Sequence, residues 1–442
     1  MKLAERWWQR LGRRGSNEFL EVRGFPTGVL GDEWRAVVTE CGDLVDARGN
    51  FVMRWFVAAD DRWHRPADEV AVRQRNVDGS AVVETRIRVP GGDVVETVWS
   101  TIASDGRRFT AVEFANESSM PVAIAVTGKK LVTARPIEPA PAPGLEIDEL
   151  VRVLPVAHRT NVRVFVAHDD RAGDWPTGCS EAGEVGAGWL AVVGRAGRVS
   201  VPELIGGRSV AELVAATRCR MALESIADVA DPIERLLMID ERSRMNLDQD
   251  DLVPTVIEAA ELVLGRARSG GGDALGIRLA LTAAHRLLRS DPRAATDLVS
   301  SVARWRKNRA ENFPEAWGAI DASGPLVDSG RRLPAEVADR LVRWTTGNTA
   351  TLVPDGLPRS WWGSSCEVFD LAVGSSHRVS FAIRWHGERP AVLWEISGPP
   401  GLVLRSGADE NWSSTQERGE ALWAAPAPVR SSLRVQSGES FG

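Results

Sequence analysis

The chain lacks tyrosine and long apolar runs, and it has few cysteines and histidines. It contains no uninterrupted apolar segment of about 18 residues, so we expect no transmembrane helix, and the basic N-terminus lacks the apolar stretch of a signal peptide. The four cysteines show no C-x-x-C spacing, and the six histidines form no H-x-x-x-H motif. We therefore expect reduced thiols in a cytoplasmic protein, with no metal site and no other cofactor.

The overall charge is mildly acidic and excludes no soluble class of protein. Lysine and arginine total 54 against 60 aspartates and glutamates, which gives a net charge of −6 and a pI of about 5.7. A net negative charge disfavours nucleic acid as a partner. A length of 442 residues exceeds what one hydrophobic core supports, so the sequence predicts several domains.

Tryptophan is the abundant aromatic residue, with 17 copies, and seven of them follow position 340. An indole offers a large apolar surface and one N–H donor. Partly exposed tryptophans on a sheet are typical of surfaces that stack sugars or dock proteins. The C-terminal tryptophans fall in a short β-rich stretch, so we expect the functional surface there.

Alternating apolar and polar residues predict an antiparallel β-sandwich over 18–205, preceded by an N-terminal helix or tail over 1–17. Thr85, Ile87 and Val89 alternate with charged residues, and glycine-containing turns separate the successive strands. A proline-rich connector covers 134–146, and strands are expected to resume after it, the last over 188–194.

The period becomes helical over 206–350. Ser209 and Glu212 form an S-x-x-E capping box, and Asp273 is placed to cap a later helix. Further helices are expected over 232–245, 251–268, 273–290, 292–307 and 334–347. A β pattern returns over 359–428, followed by a tail over 429–442. The predicted fold class is therefore α+β and multidomain, with a helical bundle or half α/α barrel between the sandwich and a small C-terminal β-domain.

This order of elements resembles glucoamylase-like and maltose-phosphorylase-like carbohydrate enzymes. Phe114, Asn116, Ser118, Pro121 and Val122 form an F-x-N-x-S-x-x-P-V phrase that looks like their sandwich domain. The segment SFAIRWHGERPAVLWE at 380–395 is similar to parts of uncharacterised actinobacterial proteins of the same build. The resemblance implies an α/α barrel, but the helical segment holds about half of the helices that a closed barrel needs. We therefore carry over no catalytic residue from these enzymes.

Acidic residues of the helical segment are the candidates for glycoside hydrolysis, which requires two facing carboxyl groups. They are Asp240, Glu241, Asp248, Asp250 and Asp251. The alternative interpretation makes Asp250 or Asp251 a helix N-cap and places Asp240 and Glu241 on a solvated face, paired with nearby arginines.

The C-terminal strands carry the most specific hypothesis. A hairpin through 386–389 would put Val379, Phe381, Ile383 and Trp385 on one face, with polar side chains on the other. The predicted ligand-binding set is Trp361, Trp362, Arg384, His386, Glu395 and Trp412. The alternative is that the tryptophans are core residues and that Arg384 and Glu395 form a cross-strand ion pair.

These observations predict a glycoside-hydrolase-like protein without catalysis, which binds an α-glucan or oligosaccharide or acts as an accessory subunit. An interaction scaffold that uses a tryptophan-rich surface is one alternative. An active glycoside hydrolase or phosphorylase is the other. The expected partner is a carbohydrate or another protein, and no nucleic acid.

Overall fold

A computed structural model describes residues 23–46, 48–169, 174–247, 252–269, 273–288, 291–306, 326–345, 348–374 and 376–426. Asp248, Asp250 and Asp251 lie outside these ranges, as do the predicted N-terminal helix and C-terminal tail. Within the described part of the chain, no helix has both the length and the apolar character needed to cross a membrane.

The first half of the chain forms thirteen short strands in the described residues. They are β1 (Gly24–Gly28), β2 (Arg35–Thr39), β3 (Leu44–Asp46), β4 (Phe51–Ala58), β5 (Trp63–His64), β6 (Arg73–Asn76), β7 (Val83–Val89), β8 (Gly92–Ile102), β9 (Arg108–Asn116), β10 (Val122–Gly128), β11 (Leu131–Thr133), β12 (Arg152–Val156) and β13 (Asn161–Ala167). One sheet has the order β1-β2-β3-β4-β10-β12, with β5 against β4, and the other has the order β11-β13-β9-β8-β7-β6. All of their pairings are antiparallel.

These two sheets enclose a common apolar core, as predicted for a sandwich. Trp55 and Ile124 enter it from the first sheet, and Ile87 and Phe114 enter it from the second. Strand β7 buries alternate residues, because successive side chains of a strand point to opposite faces.

The predicted strand over 188–194 is wrong, because these residues belong to a helix, α1 (Ala182–Val193). A capping box begins this helix: Glu181 accepts from the backbone of Glu184, whose side chain bonds back to Glu181. Trp189 and Val193 then pack one turn apart against buried residues of the sandwich and the next helices.

Six more α-helices follow in the described residues. They are α2 (Val210–Leu223), α3 (Pro232–Arg244), α4 (Val253–Arg268), α5 (Ala274–Leu287), α6 (Pro292–Arg306) and α7 (Leu333–Leu341). Ser209 and Asp273 cap α2 and α5 as predicted, since each side chain accepts a backbone N–H of the first turn. Helices α3 to α6 share a core that includes Leu236, Val263 and Leu281.

The last part of the chain forms two sheets, one of which includes an edge strand from before α2. Two further strands before α2 pair with each other as a hairpin. These strands are β14 (Arg198–Ser200), β15 (Leu204–Ile205), β16 (Arg208–Ser209), β17 (Val342–Thr345), β18 (Thr349–Leu352), β19 (Cys366–Val373), β20 (His377–His386), β21 (Arg389–Ser397), β22 (Val403–Ser406), β23 (Ser413–Ser414) and β24 (Arg418–Leu422). The C-terminal sheet has the order β14-β19-β20-β21-β24, and the smaller sheet has the order β17-β18-β22-β23. Helix α7 ends at Leu341 and the chain continues as β17, so the predicted helix over 334–347 is too long.

Both of these sheets contribute to one apolar core. Phe381 and Val392 enter it from the C-terminal sheet, and Leu352 and Leu404 enter it from the smaller sheet. The opposite face of the C-terminal sheet points outward. The α+β, multidomain fold class is therefore confirmed, and in the described residues the helices do not close a barrel.

Candidate binding face of the C-terminal sheet

Strands β20 and β21 form the predicted hairpin. His386 pairs with Arg389, and the two-residue turn between them includes Gly387 at a φ of 60°. Val379, Phe381 and Ile383 are buried, while Arg384 and His386 are exposed. The predicted division of this strand into two faces is therefore confirmed.

The register separates Arg384 from Glu395. Arg384 lies opposite Ala391, and Glu395 lies opposite Ser380, four positions along the strand from Arg384. At about 3.3 Å per residue, roughly 13 Å separates the two side chains. The predicted cross-strand pair between them is wrong, because Arg384 pairs instead with Glu367 of β19.

Most tryptophans of the predicted set belong to the interior. Trp361 is buried, and its Nε1 donates to Oε2 of Glu203 at 3.3 Å. Trp412 is half-buried, with its ring centroid 5.1 Å from that of Trp394 and 5.5 Å from that of Trp423. Trp362 is 37% exposed, and its Nε1 donates to the carbonyl oxygen of Leu357 at 3.3 Å. The six predicted residues therefore do not form one cluster, and contact of any of them with a ligand stays a prediction.

The outer face of the C-terminal sheet instead brings together residues of four strands. Register places them in three transverse rows. The rows are Ser380, Glu395 and Arg418; then Glu367, Ala382, Leu393 and Glu420; then Arg384, Ala391 and Leu422. Two predicted residues, Arg384 and Glu395, are therefore on this face but in different rows.

Phe369 lies on this face, two residues after Glu367 in β19 and beside a bulge. The register between β19 and β20 shifts between Val368 and Leu371, and Asp370 adopts a φ of 55°. The backbone N–H of Asp370 donates to Oγ of Ser380 at 2.9 Å, and Nη1 of Arg378 donates to Oδ2 of Asp370 at 2.8 Å. These bonds hold the bulge, and they leave the Phe369 ring 44% exposed.

Phe369 stands at one end of a shallow trough. The trough has a volume of about 470 Å³, and its walls include Ser380, Leu393, Glu395 and Arg418. Beyond the ring, Cζ of Arg198 lies 5.2 Å from the centroid of Phe369. An aromatic ring, a hydroxyl, a carboxylate and a guanidinium are thus presented within one open concavity. We call the surface formed by Phe369 and the three rows the outer face.

The sequence interpretation missed Phe369, Leu393 and Arg418. Leu393 could have been found, because it shares the two-residue period of Glu395. Counting by two from Glu367 places Phe369 on this face, but counting back from Leu371 and Val373 places it inside, because the bulge adds one residue between them. Arg418 reaches this face only through the pairing of β24 with β21.

The carboxylates proposed for catalysis lie in a different place. Asp240 and Glu241 are 2% and 1% exposed, so their prediction as a solvated face is wrong. Nε and Nη2 of Arg286 donate to the two oxygens of Asp240 at 2.7 and 2.9 Å, and Nε of Arg244 lies 3.0 Å from Oδ2. The predicted pairing of Asp240 with arginine is therefore confirmed.

A second buried carboxylate nearby, Asp339, is paired in the same way. It contacts Arg278 and Arg343. Burial opposes its ionisation, but hydrogen bonds and charge from these two arginines outweigh burial and lower the pKa of Asp339. A carboxylate held in this state cannot supply the proton that a glycosidic leaving group requires.

The four cysteines are free, as expected. Across the described residues, no group of three or more histidine, cysteine, aspartate or glutamate side chains is arranged to hold a metal ion.

No protein-family model matches the chain, and no curated protein matches it. Among solved structures, the chain is similar to a protein described as a putative kojibiose phosphorylase from the human microbiome. The alignment covers 91% of each chain at 6% identity, with a TM-score of 0.31. This is a weak likeness to a carbohydrate enzyme, and it carries no conclusion about activity.

Proposed function

We propose that this chain is a non-catalytic carbohydrate-binding protein and that the outer face binds an oligosaccharide such as an α-glucan. The observation that supports this proposal best is the trough beside Phe369, where an exposed aromatic ring borders polar side chains. A pyranose ring has one apolar face and several hydroxyl groups, so it fits a surface of this mixed character.

The polar groups of the trough are available to a ligand. In the described part of the chain, Glu395 and Arg418 form no ion pair, although they lie directly opposite each other in the register. Glu395 offers oxygens that accept hydrogen bonds, and Arg418 offers nitrogens that donate them. Sugar hydroxyls both donate and accept, so one sugar unit on the Phe369 ring could satisfy both side chains.

The absence of catalysis in this proposal is supported by the state of the buried carboxylate Asp339. It contacts two arginines, which lower its pKa and stabilise the ionised form. Glycoside hydrolysis needs one protonated carboxyl group beside the leaving oxygen. Asp339 does not meet that requirement.

Protein docking through the same face is the second candidate. Leu393 and Leu422 are exposed large apolar side chains on this face, in addition to Phe369. Contiguous exposed apolar residues rimmed by charge are typical of protein interaction sites. Glu367, Arg384 and Glu420 supply such a rim here.

Affinity electrophoresis separates the two candidates. The wild-type chain and the Phe369→Ala variant are run through native gels with and without soluble starch. Sugar binding predicts retardation of the wild-type chain only, and loss of that retardation in the variant. A chain that starch does not retard, but that self-associates in sedimentation velocity until Leu393→Ser disrupts the contact, would favour docking.

A further inference from the structure

A second concavity lies between the helical bundle and the C-terminal sheet, on a different part of the molecule from the outer face. It has a narrow inner part of about 100 Å³ and a wider mouth of about 570 Å³. Helices α3 and α5 form one wall through Asp240, Arg244 and Arg286. The ends of β19, β20 and β21 form the other wall. We call this concavity the arginine cleft.

Positive charge exceeds negative charge in the wall of the cleft. Nε and Nη2 of Arg286 donate hydrogen bonds to the two carboxylate oxygens of Asp240, at 2.7 and 2.9 Å. Glu241 accepts a hydrogen bond from Nε of Arg218 at 2.8 Å. Each carboxylate therefore has its own arginine, and Arg244 is a third cation beside them. The three charged side chains that line this wall, Asp240, Arg244 and Arg286, therefore sum to one excess positive charge.

Arg244 is poorly satisfied by these neighbours. Its side chain is 7% exposed, and its Nη1 lies 3.6 Å from Oε1 of Glu241, which is too far for a hydrogen bond. Its Nε and Nη1 are buried and form no hydrogen bond within the described residues. Nε is 3.0 Å from Oδ2 of Asp240 and forms an ion pair with it, but both oxygens of Asp240 accept their hydrogen bonds from Arg286. Buried N–H groups that form no hydrogen bond are costly unless another anion completes their environment.

Burial opposes the charge of Arg244, but the charges of Asp240 and Glu241 outweigh burial and raise the pKa of Arg244. Arg286 is the less well compensated of the two arginines. Burial and the positive charge of Arg244 lower the pKa of Arg286, against the effect of Asp240. An added anion between Arg244 and Arg286 would relieve this repulsion. Both side chains line the mouth of the cleft.

The opposite wall adds polar groups. Ser376 and Arg378 line the mouth, and His377 is fixed by a contact of 2.9 Å between its Nε2 and the carbonyl oxygen of Pro399. Leu287 and Ala372 contribute apolar surface. A mouth of about 570 Å³ is in the range of small-molecule sites, so it has room for more than a bare ion.

We propose that the arginine cleft binds a small molecule through an oxyanionic group, a carboxylate or a phosphate, which Arg244 and Arg286 contact. The planar fork of a guanidinium matches two oxygens of either group. The proposal does not depend on carbohydrate binding by the outer face.

Thermal unfolding in the presence of anions tests this proposal. Inorganic phosphate and malonate are titrated separately into the wild-type chain, each against sodium chloride of equal ionic strength. We expect at least one of them to raise Tm saturably above the chloride control. Phosphate alone, malonate alone, or both would identify the group that the cleft accepts, and calorimetric titration would then give the Kd.

Variants of Arg244 distinguish a ligand site from a structural ion-pair network. Arg244→Gln should weaken binding of the effective anion at least about tenfold, which corresponds to about 1.4 kcal/mol. Because the change also removes a buried ion pair with Asp240, Tm without the anion should fall, and anion binding is measured for each variant against its own chloride control. Arg163→Gln is the matched control, since Arg163 is an ion-paired arginine of the sandwich, and it should leave anion binding unchanged.

Either of two results would overturn the proposal. In the first, neither anion stabilises the wild-type chain more than chloride does. In the second, the effective anion stabilises Arg244→Gln as much as it stabilises the wild-type chain. If Arg244→Gln does not fold, Arg244→Lys and Arg286→Lys replace it, because each keeps the charge but loses the fork. Unchanged affinity in both lysine variants would then contradict the proposed contacts.

Discussion

Trp394 and Trp412 pack edge to face, with 5.1 Å between their ring centroids and an angle of 74° between their planes. Nε1 of Trp394 donates to the carbonyl oxygen of Gln416 at 3.0 Å, so its polar group is satisfied inside the protein. The relationship shows why a tryptophan-rich segment need not present tryptophan at its surface. Several of the indoles fill the core of a small domain, and Trp362, Trp385 and Trp394 donate to backbone carbonyls.

Replacement of Trp412 by alanine should therefore mainly reduce stability. We expect the free energy of unfolding in urea to fall by about 2–4 kcal/mol, because the change leaves a cavity beside Trp394 and Trp423. The matched change Trp362→Ala should cost less than about 1 kcal/mol, since that side chain is 37% exposed. Equal losses for the two variants would contradict this placement of the indoles.

Glu96 should make the sandwich less stable as pH rises. Burial, with a smaller effect from the charge of Asp43, raises the pKa of Glu96 well above its usual value. In the unfolded chain a glutamate loses its proton near pH 4, so from there upward the native state holds the additional proton and stability falls. Glu96→Gln should remove a slope of up to about 1.4 kcal/mol per pH unit, measured by urea unfolding between pH 4 and pH 8.

Asp43→Asn tests the neighbouring carboxyl group. Burial raises the pKa of Asp43 to about 6, so this variant should change the slope mainly between about pH 4 and pH 6, with a smaller change above pH 6, where the loss of its charge lowers the pKa of Glu96. If the stability of Glu96→Gln follows that of the wild-type chain at every pH, then the proposed protonation of Glu96 is wrong.

His168 should have the opposite effect on stability. Its ring stacks on Trp34 at 3.7 Å, its Nδ1 lies 2.9 Å from Oδ2 of Asp32, and its Nε2 lies 3.0 Å from Oγ1 of Thr110. Burial lowers the pKa of His168 to about 4, against the effect of Asp32. Between about pH 6.5 and pH 4 the unfolded chain therefore binds more protons, and stability falls as pH falls.

His168→Gln should lose this acid sensitivity. The variant should be less stable than the wild-type chain at pH 7, because the contacts with Trp34 and Asp32 are weakened. The difference should shrink toward pH 4.5, as followed by urea unfolding. A difference that stays constant from pH 7 to pH 4.5 would show that His168 does not titrate as described.

Local patterns in the sequence predicted much of the fold. The two-residue period of 379–386 assigned each side chain of that strand to the correct face, and Ser209 marked the start of α2. The run over 188–194 is short and apolar, and such a run cannot be assigned to strand or helix by period alone. The capping box at Glu181 decides in favour of a helix.

The outer face could not be derived from local patterns in the same way. Its rows depend on the pairing of β19, β20, β21 and β24, and pairing register is a long-range property. Arg384 was expected beside Glu395 but pairs with Glu367, which lies on a strand that the hairpin pattern does not include. The charge excess around Arg244 likewise arises from residues on separate helices, Asp240 and Arg286.

Isothermal titration of maltoheptaose into the wild-type chain and two phenylalanine variants tests the central claim most directly. Phe369→Ala removes the ring at the trough, and Phe51→Ala removes a matched ring on the sandwich, which is 45% exposed and has Cζ of Arg54 at 4.8 Å from its centroid. We predict saturable binding by the wild-type chain and by Phe51→Ala, with affinity reduced about five- to thirtyfold in Phe369→Ala, as expected from the loss of an aromatic contact worth about 1–2 kcal/mol. Equal affinity in all three proteins, or no heat of binding in any of them, would contradict the assignment of the outer face as an α-glucan site.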